Sequence, residues 1–255
     1  MSGARFSFQQ YLSLILVLGG ASSCATAPKP GEFTQREMME AACPAAFGLG
    51  AGSHPTVVKG SIWTKIESKE MTGQFPATVL SEYPGRLAVE VTNLIGAPQA
   101  WLKMENGKTE FRFSEKNEKE YGNSSVRDML GGLPLELAPR LFAGGVPCPT
   151  DAKNQDIRVH EGPDGGLEVE ALDLRTRDST RYVYLFTRYA GKPWVKEMRW
   201  EKLAKGGSRS AKSVLVTFQR EEPSDPDGAP KKWSASSSSG EIRVRWKDRM
   251  VGLKP

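Results

Sequence analysis

Most of this chain alternates apolar and polar residues with a period of two, and that pattern constrains its fold more than any other feature. Val58, Gly60, Ile62, Thr64 and Ile66 alternate with Lys59, Ser61, Trp63, Lys65 and Glu67. Leu87, Val89 and Val91 alternate with Ala88, Glu90 and Thr92. Leu102 and Met104 alternate with Lys103 and Glu105, and Phe111 and Phe113 with Glu110, Arg112 and Ser114. Successive strand residues point to opposite faces, so the pattern calls for antiparallel strands with one packed face and one wet face. Asn106-Gly107, between two of the runs, is a hairpin signal. Further strand runs cover 157–160, 166–174, 180–189, 193–203, 213–220 and 241–248. Gly162-Pro163-Asp164-Gly165-Gly166 and Gly191-Lys192-Pro193 supply turns between them. About ten strands joined by hairpins form a strongly curved antiparallel sheet.

Two segments carry helical spacing instead. Residues 34–47 read as a short N-terminal helix, with Thr34 as N-cap and Glu37 three residues later in a capping-box pattern. Residues 124–144 read as a central helical insertion. Ser124-Ser125 caps a first helix that Gly131-Gly132 ends, and Leu133 to Phe142 adds an apolar turn or two before Gly144-Gly145. This insertion has an apolar face, and the concave side of the sheet is where it is expected to bury it. Residues 221–240, rich in Ser, Pro and Asp, read as a flexible loop before the last strand.

Composition narrows the function. The chain has 255 residues, 38% hydrophobic and 25% charged, enough to bury a core. Its net charge of +5 comes from interleaved positive and negative residues, so there is no nucleic-acid stripe. Two His leave little room for metal or triad chemistry, and His54 and His160 lie in unrelated contexts. Gly-x-Ser-x-Gly and His-Glu-x-x-His are both missing, so no enzyme and no cofactor is expected. Glu168 and Glu170, near Asp164 and Asp173, read as a solvated strand face and not as a hydrolytic pair. Arg243, Arg245 and Lys247 share one face, which reads as solvated or as a contact for anionic headgroups. Tyr182, Tyr184, Phe186, Trp194, Met198 and Trp200 form an apolar stripe on adjacent strands.

The first residues look like an address. Residues 1–23 contain Arg5 and no acid, then Leu12–Leu18 as a short apolar run and Gly19-Gly20-Ala21-Ser22-Ser23 before Cys24. The run is too short to span a bilayer core of roughly 30 Å, and it fits the apolar region of a secretory signal. Small residues directly before a cysteine resemble a bacterial lipoprotein signal, in which that cysteine is lipidated; here it is Cys24. The alternatives are an ordinary secretory signal cut nearby or a retained anchor. Residues 24–33 then read as a small-residue and proline tether, leaving 34–255 as one β-rich domain. In Gram-negative lipoproteins an Asp after the lipidated cysteine commonly marks inner-membrane retention. Ala25 stands there, so the resemblance implies an outer-membrane anchor with the domain in the periplasm. In that oxidising compartment Cys43 and Cys148 read as a disulfide pair, the alternative being two separate buried thiols.

A wider resemblance covers residues 85–148. Arg86 to Gly96 reads as a strand running into Thr92-Asn93-Leu94-Ile95-Gly96. A strand, a polar hairpin, Tyr121, the helix end Met129-Leu130-Gly131-Gly132, Leu133-Pro134-Leu135 and Leu141-Phe142-Ala143-Gly144 follow in order. This order and spacing resemble LolB, the outer-membrane lipoprotein receptor family. Leu94-Ile95-Gly96 stands where that family has Pro-Leu-Gly, and Phe142 where it has Trp. The resemblance implies a mainly β fold, an incomplete β-barrel with an α lid over an apolar cavity. It also implies acyl chains accepted from a LolA-like periplasmic carrier and delivered to outer-membrane lipids, with acylated lipoproteins as clients. By position the membrane-contacting loop maps to Leu94 and Ile95, which otherwise would cap the core at a strand end. Strand parity and the lid give the acyl-cavity candidates Ile62, Leu87, Val89, Val91, Leu102, Met104, Phe111, Phe113, Leu130, Leu135, Leu141 and Phe142.

Overall fold

A computed structural model describes residues 32–43, 57–69, 71–82, 86–105, 108–114, 130–149, 154–203, 214–221, 223 and 229–252. The signal segment, Cys24, most of the tether, His54, Asn106-Gly107 and residues 124–129 lie outside the described residues. One antiparallel sheet dominates, built of β1 (Val57–Ser68), β2 (Thr72–Glu82), β3 (Arg86–Thr92), β4 (Pro98–Glu105), β5 (Lys108–Phe113) and β6 (Gln155–Glu161). It continues with β7 (Leu167–Asp173), β8 (Ser179–Tyr189), β9 (Lys192–Leu203), β10 (Val214–Arg220), β11 (Lys232–Ser237) and β12 (Gly240–Gly252). The order is β5-β4-β3-β2-β1-β12-β11-β10-β9-β8-β7-β6. Chain neighbours pair antiparallel except β5 and β6, and β1 pairs with β12 to join the two halves. Among the described residues β5 and β6 are free edges, so the sheet is curved but unclosed, an incomplete barrel.

The expected count of about ten strands missed two. β2 carries Gly73 and Pro76, which interrupt its alternation, and a proline in a central strand argues against a strand altogether. Pro76 nevertheless lies opposite Trp63, between β1 and β3. β11 falls inside the stretch expected to be a flexible loop, and this corrects that reading for residues 232–237. Its six residues are mostly small and polar, but Trp233 and Ala235 alternate inward and are buried.

The inward face is ordered in cross-strand rows. Gly60, Val79, Val89, Leu102 and Phe111 form one row across β1 to β5, and Ile62, Ala77, Val91, Ala100 and Phe113 form the next. In the other half Ile242, Ala235, Phe218, Met198, Tyr184 and Leu167 line up across β12 to β7. Full burial of one such large side chain stabilises by roughly 1.5–3 kcal/mol, so each row strongly favours this register over a one-residue slip. Gly60 is required where β1 meets a bulge in β12: a Cβ there would sit 2.3 Å from the Asp248 carbonyl oxygen.

Two short helices cover parts of the inward face. α1 (Gln35–Ala42) has the capping box expected of it, since Thr34 Oγ1 accepts from Glu37 N and the Glu37 carboxylate accepts from Thr34 N. Its buried Met38 and Ala42 pack toward β9 and β7. α2 (Ala138–Phe142) follows a 3-10 turn at Leu135–Leu137 and packs on β2 and β3.

Candidate functional site

The segment from Leu130 to Cys148 lies over the inward face as a lid. Gly131 enters it with φ +62 in close contact with the backbone of Glu241 and Ile242. Phe142 is fully buried and meets Trp233 edge-to-face, with ring centroids 5.2 Å apart. Four lid carbonyls are held by side chains from four different strands. Ser81 Oγ donates to Pro139 O (2.9 Å), Arg249 Nη2 to Ala143 O (3.1 Å), Arg220 Nη2 to Gly144 O (3.2 Å) and Tyr184 Oη to Pro147 O (3.0 Å). A hydrogen bond from a neutral donor contributes about 0.5–1.5 kcal/mol and one from a charged donor about 1.5–3. The lid is therefore latched as well as packed.

Arg220 also donates to Val195 O (3.1 Å) and lies over the Trp194 ring at 4.6 Å. Burial pushes its pKa down to about 9, still charged at neutral pH. Neither it nor Ser81 was marked as functional by sequence. Ser81 had a signal, a hydroxyl on an otherwise apolar strand face, but its strand was not recognised.

All twelve acyl-cavity candidates join one contiguous apolar cluster beneath the lid. Ile62, Leu87, Val89, Leu102, Leu130, Leu141 and Phe142 are buried within it. Val91, Met104, Phe111, Phe113 and Leu135 are only half-buried, which leaves the β3–β5 end of the cluster less covered than the rest. Two grooves lined by described residues, of about 980 and 850 Å³, are walled mainly by outward-pointing side chains, such as Lys65, Ser234 and Arg243 in the first and Lys59, Glu90 and Lys103 in the second. Their outward-pointing walls alternate in sequence with the buried residues.

The β3–β4 loop presents its apolar pair to solvent. Leu94 is 83% and Ile95 89% exposed, so neither caps the core. Asn93 fixes the loop: its Oδ1 accepts from Ile95 N (3.1 Å) and Ala97 N (2.9 Å), and its own N–H donates to Ala97 O (2.9 Å). Gly96, at φ +84, takes the turn position that other residues resist. The side chains are exposed on a defined turn.

Cys43, at the end of α1, and Cys148, at the end of the lid, are brought together. Both are buried, free thiols close enough to influence each other's ionisation, and Cys43 Sγ lies 3.2 Å from Tyr184 Oη. Burial raises the Cys43 thiol well above its usual range, which keeps it protonated and unreactive as a nucleophile. Glu168 is held by Arg181 in a two-bond ion pair (2.8 and 2.6 Å) and is largely covered, so it is less solvated than the strand-face reading expects. In the aromatic stripe, Tyr182, Tyr184, Phe186, Met198 and Trp200 join the apolar cluster. Trp194 is buried outside that cluster, with the Arg220 guanidinium over its ring.

No family model and no curated protein matches the chain. Among solved structures it is similar to a LolA superfamily protein from Nitrosomonas europaea, at 8% identity and TM-score 0.46, covering 86% of this chain and 92% of that one. A DUF1329 family protein from Desulfovibrio piger aligns at 8% identity and TM-score 0.48, over 82% and 91% of the two chains. The Mycobacterium tuberculosis lipoprotein LppX aligns at 12% identity and TM-score 0.29, over 84% and 100%.

Proposed function

We propose that this chain is a LolB-like lipoprotein, anchored through Cys24 to the outer membrane and facing the periplasm. It binds acyl chains of lipoproteins and helps to place them in that membrane. The observation that carries this reading is the exposed Leu94-Ile95 pair, held on an Asn93-braced turn beside the less covered end of an apolar cluster. Exposing an acyl chain to water costs ~0.8 kcal/mol per CH₂, so its transfer needs an apolar surface that reaches the bilayer. Val91, Met104, Phe111 and Phe113 supply such a surface next to the loop. No covalent step is involved: the protein is read as a carrier of lipid, without cofactor, that takes its client from a LolA-like soluble carrier.

The test is transfer of an acylated lipoprotein from a loaded periplasmic carrier into liposomes. Wild-type protein is expected to transfer it, and Ile95→Glu to fold normally but fail, because a carboxylate resists entry into the bilayer. Wild-type rates in the variant would remove the loop from the mechanism.

The close packing under the lid favours a second reading, a lipoprotein of the same fold that takes another lipid or only scaffolds an envelope complex. Leu87 and Phe142 have no exposed surface at all. A protein that never accepts an acylated client from the carrier, yet co-purifies with envelope partners, fits that reading instead.

A further inference from the structure

The groove of about 980 Å³, walled largely by the outward-pointing side chains of β1, β10, β11 and β12, carries an arrangement that strand pairing alone disfavours. Lys232 lies directly opposite Arg245 across β11 and β12. Lys65 lies directly opposite Arg243 across β1 and β12. Like charges facing each other across strands destabilise a sheet, and here two such pairs are adjacent on one face. Three of the four cations are relieved by a carboxylate: Lys65 by Glu67, Arg243 by Glu241 and Lys232 by Glu221. Arg245 has no carboxylate partner among the described residues and is exposed. Beside it Lys247 lies over the Trp63 ring at 4.5 Å, which sets a cation and an aromatic face side by side at the edge of the groove. Besides Arg220, which is committed to the lid, five basic side chains line the groove against three carboxylates.

The position of the groove says which anion. Arg245 pairs with Trp63, and Trp63 with Pro76, in one cross-strand row. The Thr92 hydroxyl donates to the Pro76 carbonyl at 3.5 Å, which extends that row to β3. Thr92 precedes the loop that displays Leu94 and Ile95. At about 4.8 Å per strand, Arg245 is about 14 Å across the sheet from the foot of the loop. An apolar loop and a cationic, tryptophan-edged groove so close together suit a membrane surface better than a freely diffusing anion.

We propose that this groove binds the phosphate headgroups of anionic phospholipid while the loop meets the acyl region. The proposal rests on the membrane contact assigned above to Leu94 and Ile95, and adds a lipid-charge preference to it. Lys65, Arg243 and Arg245 face the phosphates, and Trp63 lies at the headgroup level. Anion binding relieves the repulsion within the two like-charged pairs.

The experiment is vesicle flotation with the full-length chain kept unlipidated by Cys24→Ser. Phosphatidylcholine vesicles are compared with vesicles that also contain phosphatidylglycerol. The expected result is tighter binding to the anionic vesicles. In the same background Arg245→Gln should cut that preference about fivefold and Arg245→Glu about 25-fold, following the value of one basic residue near an anionic surface. Arg245→Glu should also raise the melting temperature, because it turns the repulsive pair with Lys232 into an attractive one. A merely structural arginine would lower it. Ile95→Ser, which removes the apolar contact without adding charge, should weaken binding to both vesicle types equally, so loss of the loop's role and loss of the groove's role give different patterns. Retention of the anionic preference in Arg245→Glu, or no preference in the wild type, would overturn the proposal. Displacement by millimolar glycerol 3-phosphate would also overturn it and leave a site for small phosphates.

Discussion

Replacing Phe142 by Ala tests how firmly the lid is seated. The Phe142 ring is fully buried between lid and sheet and meets Trp233 at 5.2 Å and 81°. Truncating a buried Phe costs about 3–5 kcal/mol through lost burial and the cavity left behind. An aromatic pair of this geometry accounts for about 0.5–1.5 kcal/mol of such a loss. At roughly 2–4 °C per kcal/mol for a chain of this size, the melting temperature should fall by about 6–20 °C. Urea unfolding followed by tryptophan fluorescence and by far-ultraviolet circular dichroism measures the loss directly. The midpoint should move while the slope stays constant. If the lid opens before the sheet unfolds, amide exchange in residues 138–145 will accelerate more than exchange in β1 and β12. A loss below about 1 kcal/mol, with no change in exchange, would refute the claim that Phe142 anchors the lid.

Other positions test the same construction. Gly131→Ala should be severely destabilising, because it forces a Cβ to 2.4 Å from the Glu241 carbonyl oxygen at a positive φ; thermal melting measures the cost. Ser81→Ala leaves the Pro139 carbonyl without its side-chain donor, at a cost of about 1–3 kcal/mol, and amide exchange of the lid should report it first. Protein recovered from an oxidising compartment should carry a Cys43–Cys148 bond, seen as resistance to alkylation until a reductant is added. Closing so long a loop should stabilise by about 4–5 kcal/mol. Two alkylatable thiols in the unfolded, unreduced protein would refute the bond.

Much of the fold was legible because buried antiparallel strands must alternate. Val58–Glu67 and Leu87–Thr92 announced β1 and β3 in this way. β2 was hidden by Pro76, whose missing N–H normally excludes a central strand, and β11 by serines that give little contrast between its faces. The capping box of α1 was readable because Thr34 and Glu37 satisfy each other locally. The lid latches were not, since Ser81, Tyr184, Arg220 and Arg249 lie far in sequence from the carbonyls they hold. The apolar candidates were found by parity, but parity cannot separate a packed cluster from an open cavity, and here most of them are packed. The cationic groove depends on which cations meet across strands, and that register appears only with β11 in place.

The central claim is that acyl chains occupy the apolar surface under the lid. Native mass spectrometry of the full-length protein, purified from the envelope and exposed to a carrier loaded with acylated lipoprotein, tests it most directly. The account predicts an acylated adduct that is weakened when Phe111 or Phe113 is replaced by Asp. A protein that emerges without lipid and accepts none from the loaded carrier would contradict it.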